Sequence, residues 1–241
     1  MSLLNQATSA EQYDVPTMDW QGVGTAASPH RKFLSRIINV RREEIEGLSV
    51  LDVGCGTGWL LAECLEAGAA EVNGIEPSKL AEVARRTAPG AVVIRRMFQS
   101  YDAHKKFDWV TFIMSTEHLP DLPGVLRKAG GLLKEGGLVS VVTGDMDAFC
   151  SDRFDYEVEV ETLIEGKEAV SQTRRPSGYG TTTDIVRSVD YWQEAAEQAG
   201  LQTSVHRPVM ADEQFVAAVP QYGIYEHKPI FQYFDFMAAG K

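Results

Sequence analysis

A glycine-rich turn between a short apolar strand and a helix constrains the fold of this chain more than any other sequence feature. Residues 49–53, SVLDV, predict a buried strand, and Gly54, Gly56 and Gly58 follow it before the helical run WLLAECLE. Because glycine has no Cβ atom, the backbone can turn sharply there and a ligand can approach it closely. In open α/β sheets such a turn lies at the carboxyl ends of the strands, where ligands bind. The turn therefore predicts a doubly wound sheet with a ligand site beside its first strand.

Helices and strands alternate over the first part of the chain. Apolar residues at helical spacing predict a helix over residues 30–46, with Ser28 and Pro29 at its start. Five apolar runs predict strands, at residues 49–53, 71–76, 91–94, 108–114 and 138–143. Helices are predicted between most of these strands, at residues 57–68, 79–88 and 121–134. This order is typical of a parallel sheet whose strands are joined by right-handed crossovers.

The pattern changes after the fifth predicted strand. The alternation in DYEVEVETLIEG predicts two antiparallel strands that turn at Glu165-Gly166, and residues 177–183 then predict a loop. We therefore interpret residues 144–187 as a β-rich insertion. The α/β pattern resumes with a helix over residues 188–200 and two strands, at residues 201–209 and 230–237.

Composition and charge exclude several classes of partner. The chain has 241 residues, 44% of them hydrophobic, and its 34 acidic and 23 basic residues give a net charge of −11. That charge repels phosphate backbones and anionic membranes, so we expect neither nucleic acid nor membrane as a partner. The sequence has no apolar run of the ~20 residues that span a bilayer and no secretory signal pattern. Cys55, Cys64 and Cys150 fit no disulfide or zinc spacing, which favours the reducing cytoplasm.

The residues around the turn favour one class of cofactor over another. A dinucleotide site has a third glycine where this chain has Trp59, and that glycine allows close packing of helix and strand. Asp52, just before the glycines, suits a cationic ligand better than a pyrophosphate. Glu76 ends the second strand, where a carboxylate can accept hydrogen bonds from both ribose hydroxyls. S-adenosylmethionine, with its ammonium, sulfonium and ribose, fits this combination.

Several motifs then occur in the order found in one enzyme family. They are D-V-G-C-G-T-G at residues 52–58, the acid Glu76, FDWVTFIMSTEHLPD at residues 107–121 and LLKEGG at residues 132–137. In these features the chain resembles the class I S-adenosylmethionine-dependent methyltransferases. The resemblance implies a Rossmann-like sheet of seven strands, mostly parallel, with a reversed final strand.

The resemblance also assigns residues to the cofactor. Those beside the methionine part are Asp52, Gly54, Cys55, Gly56 and Gly58. Those around the nucleoside and the transferred group are Glu76 at the ribose, Met97 and Phe98 at the adenine, and the backbone of Ile113 and Met114.

A narrower resemblance is to the ubiquinone-biosynthesis O-methyltransferases, through H-R-x-x-x-x-R at residues 30–36. It implies that Arg36 pairs with the methionine carboxylate, and the alternative is a solvated helix charge. That family places a divalent metal on Glu-x-x-Glu-His, which corresponds here to Met114, Glu117 and His118. Because a thioether is a poor ligand for a hard cation, we expect no metal.

Methyl transfer from a sulfonium needs alignment of acceptor, methyl and sulfur, and an oxygen acceptor also needs a base. His118 follows the fourth strand and is the first candidate base, with a purely structural hydrogen-bonding role as its alternative. His30 is the second candidate, beneath a lid formed by residues 1–29. The lid, the insertion and the loop over residues 210–229 would cover the acceptor.

These observations predict a methyltransferase domain over residues 30–241 that methylates an oxygen or nitrogen atom of a small-molecule acceptor and releases S-adenosylhomocysteine. Two alternatives remain open, namely a non-catalytic cofactor-binding scaffold and a methyltransferase that acts on a protein. The insertion could also pair with a second copy in a homodimer, because its first strand offers a free edge.

Overall fold

A computed structural model describes residues 2–14, 27–38, 44–102, 105–175 and 180–239. Seven strands of this part form the main sheet: β1 (Ser49–Val53), β2 (Glu71–Ile75), β3 (Val92–Ile94), β4 (Phe107–Ile113), β5 (Leu133–Gly144), β9 (Leu201–Val209) and β10 (Phe231–Ala238). Three strands form a second, antiparallel sheet: β6 (Glu157–Ile164), β7 (Glu168–Arg174) and β8 (Thr181–Arg187). The second sheet is the predicted β-rich insertion.

The main sheet has the order β3-β2-β1-β4-β5-β10-β9. Strands β1 to β5 pair in parallel, and β10 runs antiparallel to both β5 and β9. The strand order reverses direction at β1 and β4, and this is where open α/β sheets open a crevice for ligands. The predicted doubly wound fold with seven strands and a reversed final strand is confirmed.

Eight α-helices belong to the described residues: α1 (Leu3–Ala7), α2 (Pro29–Ile38), α3 (Trp59–Glu66), α4 (Leu80–Thr87), α5 (Leu122–Gly131), α6 (Met146–Phe149), α7 (Val189–Gln198) and α8 (Glu213–Ala218). Short 3₁₀ turns add residues 10–13, 98–100, 116–118 and 220–225. None of the helices in the described ranges is long and apolar enough to cross a bilayer.

Two hydrophobic clusters cover the two faces of the main sheet. One contains Phe33 of α2 and Phe215 of α8, whose rings stack with centroids 4.4 Å apart. The other contains Leu126 of α5 and Trp192 of α7. Helices on both faces leave the carboxyl edge of the strands as the open side of the sheet.

Helix α1, which the sequence did not predict, belongs with the insertion. Ala7 is fully buried in a small cluster with Val170 of β7 and Ile185 of β8. Gln172 of β7 donates to Gln6, 2.8 Å away. The start of the chain is therefore fastened to the second sheet and not to the main one.

Three predicted boundaries were wrong. Helix α2 is described over Pro29–Ile38, residues 39–43 lie outside the described range, and residues 44–46 are not α-helical, so the helix does not reach residue 46. Ile45 is buried outside any helix, so its apolar side chain serves packing there. The predicted loop over residues 177–183 is described only from residue 180, because residues 176–179 lie outside the described range. Thr181 already begins β8, since three successive β-branched threonines fit a strand. Strand β5 begins at Leu133, five residues earlier than predicted.

Candidate functional site

A cavity lies at the carboxyl ends of β1, β2 and β4, and the glycine turn forms part of its wall. Most of the residues assigned to the cofactor line this cavity: Asp52, Gly54, Cys55, Gly56, Glu76, Met97, Phe98, Ile113 and Met114. The turn, the second acid and the two loops after β3 and β4 therefore converge on one space. Sequence order alone had suggested this convergence.

The Glu76 carboxylate holds the turn in place. Its Oε2 atom accepts from the Gly56 backbone N–H at 3.0 Å, and its Oε1 atom accepts from the Ser78 backbone N–H at 2.8 Å. A carboxylate has about four lone-pair sites, so each oxygen keeps capacity for a ligand hydroxyl. Gly56 has a φ of +52°, and an added Cβ atom would meet nothing within 4 Å, so the turn leaves open space there.

Asp52 is a buried acid at the end of β1. Its Oδ1 atom accepts from the Thr111 hydroxyl at 2.7 Å. Burial and, to a smaller extent, the nearby Glu76 charge raise the pKa of Asp52 to about 7, against the opposing effect of the Thr111 hydrogen bond. A cationic ligand group in the cavity would offset this desolvation and favour the ionised form.

Gly54 and Gly58 are required for two close backbone approaches. A Cβ atom on Gly54 would lie 2.4 Å from the Cβ atom of Ser115, whose hydroxyl donates to the Val53 carbonyl at 2.6 Å. A Cβ atom on Gly58 would lie 2.8 Å from the Cα atom of Ala84 in α4. Gly58, which the resemblance assigns to the cofactor, is not among the residues lining the cavity. It lets α3 pack closely against α4.

Arg36, the second of these residues, does not line the cavity either. Its Nε and Nη2 atoms each donate to an Asp212 carboxylate oxygen at 2.7 Å, which ties α2 to the start of α8, away from the cavity wall. Arg31 of the same motif lines the cavity instead, and its Nη2 atom donates to Glu63 at 3.0 Å. Its guanidinium also lies over the Trp59 ring, 5.9 Å from the centroid.

His118 lies at the cavity wall, as predicted for a candidate base. Its Nδ1 atom is 3.0 Å from the Ala7 carbonyl oxygen and 3.2 Å from the Gln12 amide nitrogen. Its Nε2 atom lies 3.9 Å from Oδ1 of Asp184 in β8. Burial lowers the pKa of His118, which favours the neutral ring.

His30, the second candidate base, does not line the cavity. Its Nε2 atom is 3.3 Å from the Tyr222 hydroxyl, and its ring packs edge-on against Phe215 and Tyr222. Burial lowers the pKa of His30. The residue belongs to an aromatic cluster between α2 and α8, and this packing explains its position on α2.

The start of the chain contributes residues that the sequence did not single out. Thr8, Ser9 and Ala10 line the cavity. Gln12 follows them, donates to the Ala7 carbonyl at 3.0 Å and accepts from the Thr183 backbone N–H at 3.3 Å. The predicted lid over residues 1–29 is thus described for residues 2–14 and 27–29, whereas residues 15–26, including Trp20, lie outside the described range.

A second residue that sequence reasoning missed is Arg187 of β8. It is buried, pairs with Glu168 at 2.7 Å and donates to the carbonyl oxygens of Thr116 and Leu119 at 2.8 and 2.7 Å. These carbonyls lie on either side of His118. The insertion therefore holds the loop that carries the candidate base, through contacts between residues far apart in sequence.

The carboxylate of Glu117 is already engaged within the protein. It accepts from the Thr143 hydroxyl at 2.8 Å and from the Gly144 backbone N–H at 2.9 Å. Burial raises the pKa of Glu117. Among the described residues, no group of three His, Cys, Asp or Glu side chains could hold a metal ion.

Known proteins resemble this chain in sequence and in fold. Residues 26–206 match the family described as methyltransferase domain. A ubiquinone biosynthesis O-methyltransferase from Pectobacterium carotovorum is 27% identical over 194 residues, covering 73% of this chain and 81% of that protein. Its counterpart from Alkalilimnicola ehrlichii is 33% identical over 144 residues, covering 55% of this chain and 57% of that protein. The fold matches an S-adenosylmethionine-dependent methyltransferase from Mesorhizobium loti with a TM-score of 0.67 and 18% identity, over 84% of this chain and 97% of that one.

Proposed function

This chain belongs to the methyltransferase-domain family and is an S-adenosylmethionine-dependent methyltransferase, and we propose that its acceptor is a small molecule. One observation supports the site of transfer above all others. Asp52, the open glycine turn at Gly56 and the partly satisfied Glu76 carboxylate surround a single cavity. Asp52 fits the ammonium of the cofactor, and Glu76 fits its ribose. The open turn lets the cofactor approach the backbone closely.

We propose roles for the residues around the cofactor from their chemistry. Asp52 faces the ammonium and Arg31 the carboxylate of the methionine part, because opposite charges pair at each end. Glu76 accepts from the ribose hydroxyls. Met97 and Phe98 pack against the adenine, since both present apolar surface to the cavity.

When bound, the cofactor would supply a methyl group on a sulfonium, open to in-line attack by the acceptor atom, with S-adenosylhomocysteine as the leaving group. The protein holds the acceptor in that line and excludes water, which accounts for a large part of the rate enhancement in such transfers. For an oxygen acceptor, His118 takes the hydroxyl proton, because burial favours the neutral ring that can accept it. A nitrogen acceptor bound as a neutral amine needs no base.

The relatives support a small acceptor, because they are named as enzymes of ubiquinone biosynthesis. Cysteines Cys55, Cys64 and Cys150 are free thiols, which supports a cytoplasmic location. The glutamates on the edge strand β6 argue against the homodimer alternative, because like charges repel. Pairing of two copies there would bring the glutamates at positions 157, 159 and 161 of one chain near those of the other.

Calorimetry tests the cofactor site. Wild-type protein should bind S-adenosylmethionine and S-adenosylhomocysteine, with no comparable binding of NAD. Glu76→Ala should weaken S-adenosylmethionine binding by about 1.5–3 kcal/mol, or roughly 10- to 150-fold, because a charged acceptor of hydrogen bonds is lost. The matched control is Glu82→Ala, which removes an exposed carboxylate from α4.

Two outcomes would contradict the proposal. Unchanged cofactor affinity in Glu76→Ala would remove the ribose assignment and leave Glu76 with only its role in holding the turn. Tight cofactor binding without release of S-adenosylhomocysteine, across a broad panel of phenols, hydroxy acids and amines, would favour the scaffold or a protein acceptor instead.

A further inference from the structure

Two arginines of the insertion lie buried or half-buried and form no ion pair with a described carboxylate. The half-buried Arg207 of β9 also forms none, but its guanidinium donates to the Ile37 carbonyl and lies over the Tyr233 ring. Arg31, Arg36 and Arg187 each pair with a carboxylate. Arg153, which follows α6, and Arg175, which follows β7, form no ion pair with any described carboxylate. The chain has 34 acidic residues, so carboxylates are not scarce.

Arg153 is the more buried of the two, with 8% of its surface exposed. Its Nη1 atom donates to the Ala148 carbonyl at 2.6 Å and its Nη2 atom to the Thr173 hydroxyl at 3.4 Å. Its guanidinium lies over the Phe149 ring, 4.6 Å from the centroid. These contacts are all neutral and engage only part of the five N–H donors of the guanidinium.

Arg175 borders an aromatic wall. Its Nη1 atom donates to the Thr182 hydroxyl at 3.1 Å, and its guanidinium lies 5.4 Å from the centroid of the Tyr156 ring. From Tyr156 the wall continues through Phe154, 5.2 Å away between centroids, to Tyr222, 4.9 Å further. Burial raises the pKa of Tyr222 to about 12, so this hydroxyl stays neutral beside the arginines.

Asp184 connects the two arginines with the cofactor cavity. Its Oδ1 atom is 3.9 Å from His118 Nε2, and His118 lines that cavity. Burial raises the pKa of Asp184 to about 6, and the charges of Arg175 and Arg153 oppose that rise. Arg175 donates to Thr182, which lies two residues before Asp184 and on the same face of β8. Arg153 donates to Thr173, which is opposite Thr182 on β7. Both arginines therefore lie on the face of the insertion that carries Asp184.

We infer that Arg153 and Arg175 bind an anionic group of the acceptor, a carboxylate or a phosphate, while Phe154, Tyr156 and Tyr222 contact its carbon skeleton. This inference rests on the proposed function, because the anion is assigned to the molecule that His118 faces. A guanidinium presents parallel N–H donors that match the oxygens of a carboxylate or phosphate. The acceptor is therefore an acidic small molecule.

Binding to the protein loaded with S-adenosylhomocysteine tests the inference. The probes are benzoate, inorganic phosphate and the uncharged benzamide, measured by calorimetry at constant ionic strength. We expect benzoate or phosphate to bind and benzamide to bind at least about tenfold more weakly, since the neutral amide loses a charge-assisted hydrogen bond. Benzoate binding alone identifies a carboxylate site, and phosphate binding alone identifies a phosphate site.

Variants of neighbouring arginines locate the anion. Arg175→Gln should weaken anion binding at least about tenfold and leave S-adenosylhomocysteine affinity unchanged, whereas Arg175→Lys should restore part of the anion affinity. The matched control Arg174→Gln removes an exposed arginine paired with Glu157 and should change neither. Thermal melting of each variant shows whether it folds.

Other results would overturn the inference. If neither anion binds the loaded wild-type protein, or if benzamide binds as well as benzoate, the arginines serve packing alone. Equal anion binding by Arg175→Gln and wild type would place the anion elsewhere. Absence of S-adenosylhomocysteine binding to wild type would instead contradict the proposed function, so the two failures are distinguishable.

Discussion

Alanine substitutions at Gly56 and Gly58 should separate cofactor binding from stability within one turn. Both residues have positive φ, +52° at Gly56 and +80° at Gly58, so alanine at either position carries a backbone strain of roughly 1–2 kcal/mol. At Gly58 the new methyl group would also lie 2.8 to 3.0 Å from the Cα, Cβ and carbonyl oxygen atoms of Ala84. Backbone atoms of a packed helix cannot yield easily, and such overpacking costs about 1–3 kcal/mol.

The expected loss of unfolding free energy is therefore roughly 2–5 kcal/mol for Gly58→Ala and roughly 1–2 kcal/mol for Gly56→Ala. For cofactor affinity we expect the opposite order, with the larger loss in Gly56→Ala. Gly56 lines the cavity and its new methyl group would occupy open space there, so affinity should fall by about tenfold or more, equivalent to ~1.4 kcal/mol. Gly58 does not line the cavity, so Gly58→Ala should keep most of its affinity while folded.

Urea unfolding measures the free energies, and calorimetry with S-adenosylmethionine measures the affinities. The matched control is Gly166→Ala in the hairpin turn of the insertion, where φ is +64° and nothing lies within 4 Å of an added Cβ atom. It should lose stability as Gly56→Ala does and leave affinity unchanged. The reasoning is refuted if Gly58→Ala unfolds like wild type, or if it weakens cofactor binding more than Gly56→Ala does.

Three further predictions concern the same cavity. Cofactor affinity should weaken as the pH falls below about 7, because protonation of Asp52 removes the negative charge that pairs with the ammonium; calorimetry should show no such pH dependence in Asp52→Asn. Methyl transfer should persist after exhaustive EDTA treatment, because Met114 replaces a carboxylate and Glu117 already binds Thr143; activity lost to EDTA and restored by magnesium would contradict this. Deletion of residues 2–12 should weaken S-adenosylhomocysteine binding as well as turnover, because residues 8–10 line the cavity; unchanged cofactor affinity would confine this segment to the acceptor.

The main sheet and most of the cavity were predictable because their determinants are local. Strand β1 has the predicted bounds, Ser49–Val53, since five consecutive buried residues bounded by glycines leave little choice of register. The turn glycines and Glu76 follow strands that end at one edge of the sheet, so their convergence follows from topology alone.

Which of the assigned residues line the cavity depends on contacts that are not local in sequence. Arg31 and Arg36 are five residues apart on α2, so they point about 140° apart around the helix axis. The H-R-x-x-x-x-R motif contains both arginines, and only tertiary packing decides which one faces the cavity. Residues 8–10 reach the cavity because Ala7 docks on β7 and β8, which are far away in sequence. Gly58 met the pattern of a ligand-binding glycine but serves the contact between two helices.

The position of β10 also determines the order in which this protein can fold. Strand β10 lies between β5 and β9, although both of those strands precede it in the chain. During synthesis, the apolar edge of β5 therefore stays unpaired until Phe231–Ala238 has emerged, and β9 has no neighbour to join. Pairing between segments so distant in sequence is slow, and an open apolar edge invites aggregation in the meantime. Loss of the last strand would expose two edges at once, so a nascent chain halted before Phe231 would need protection from other nascent chains.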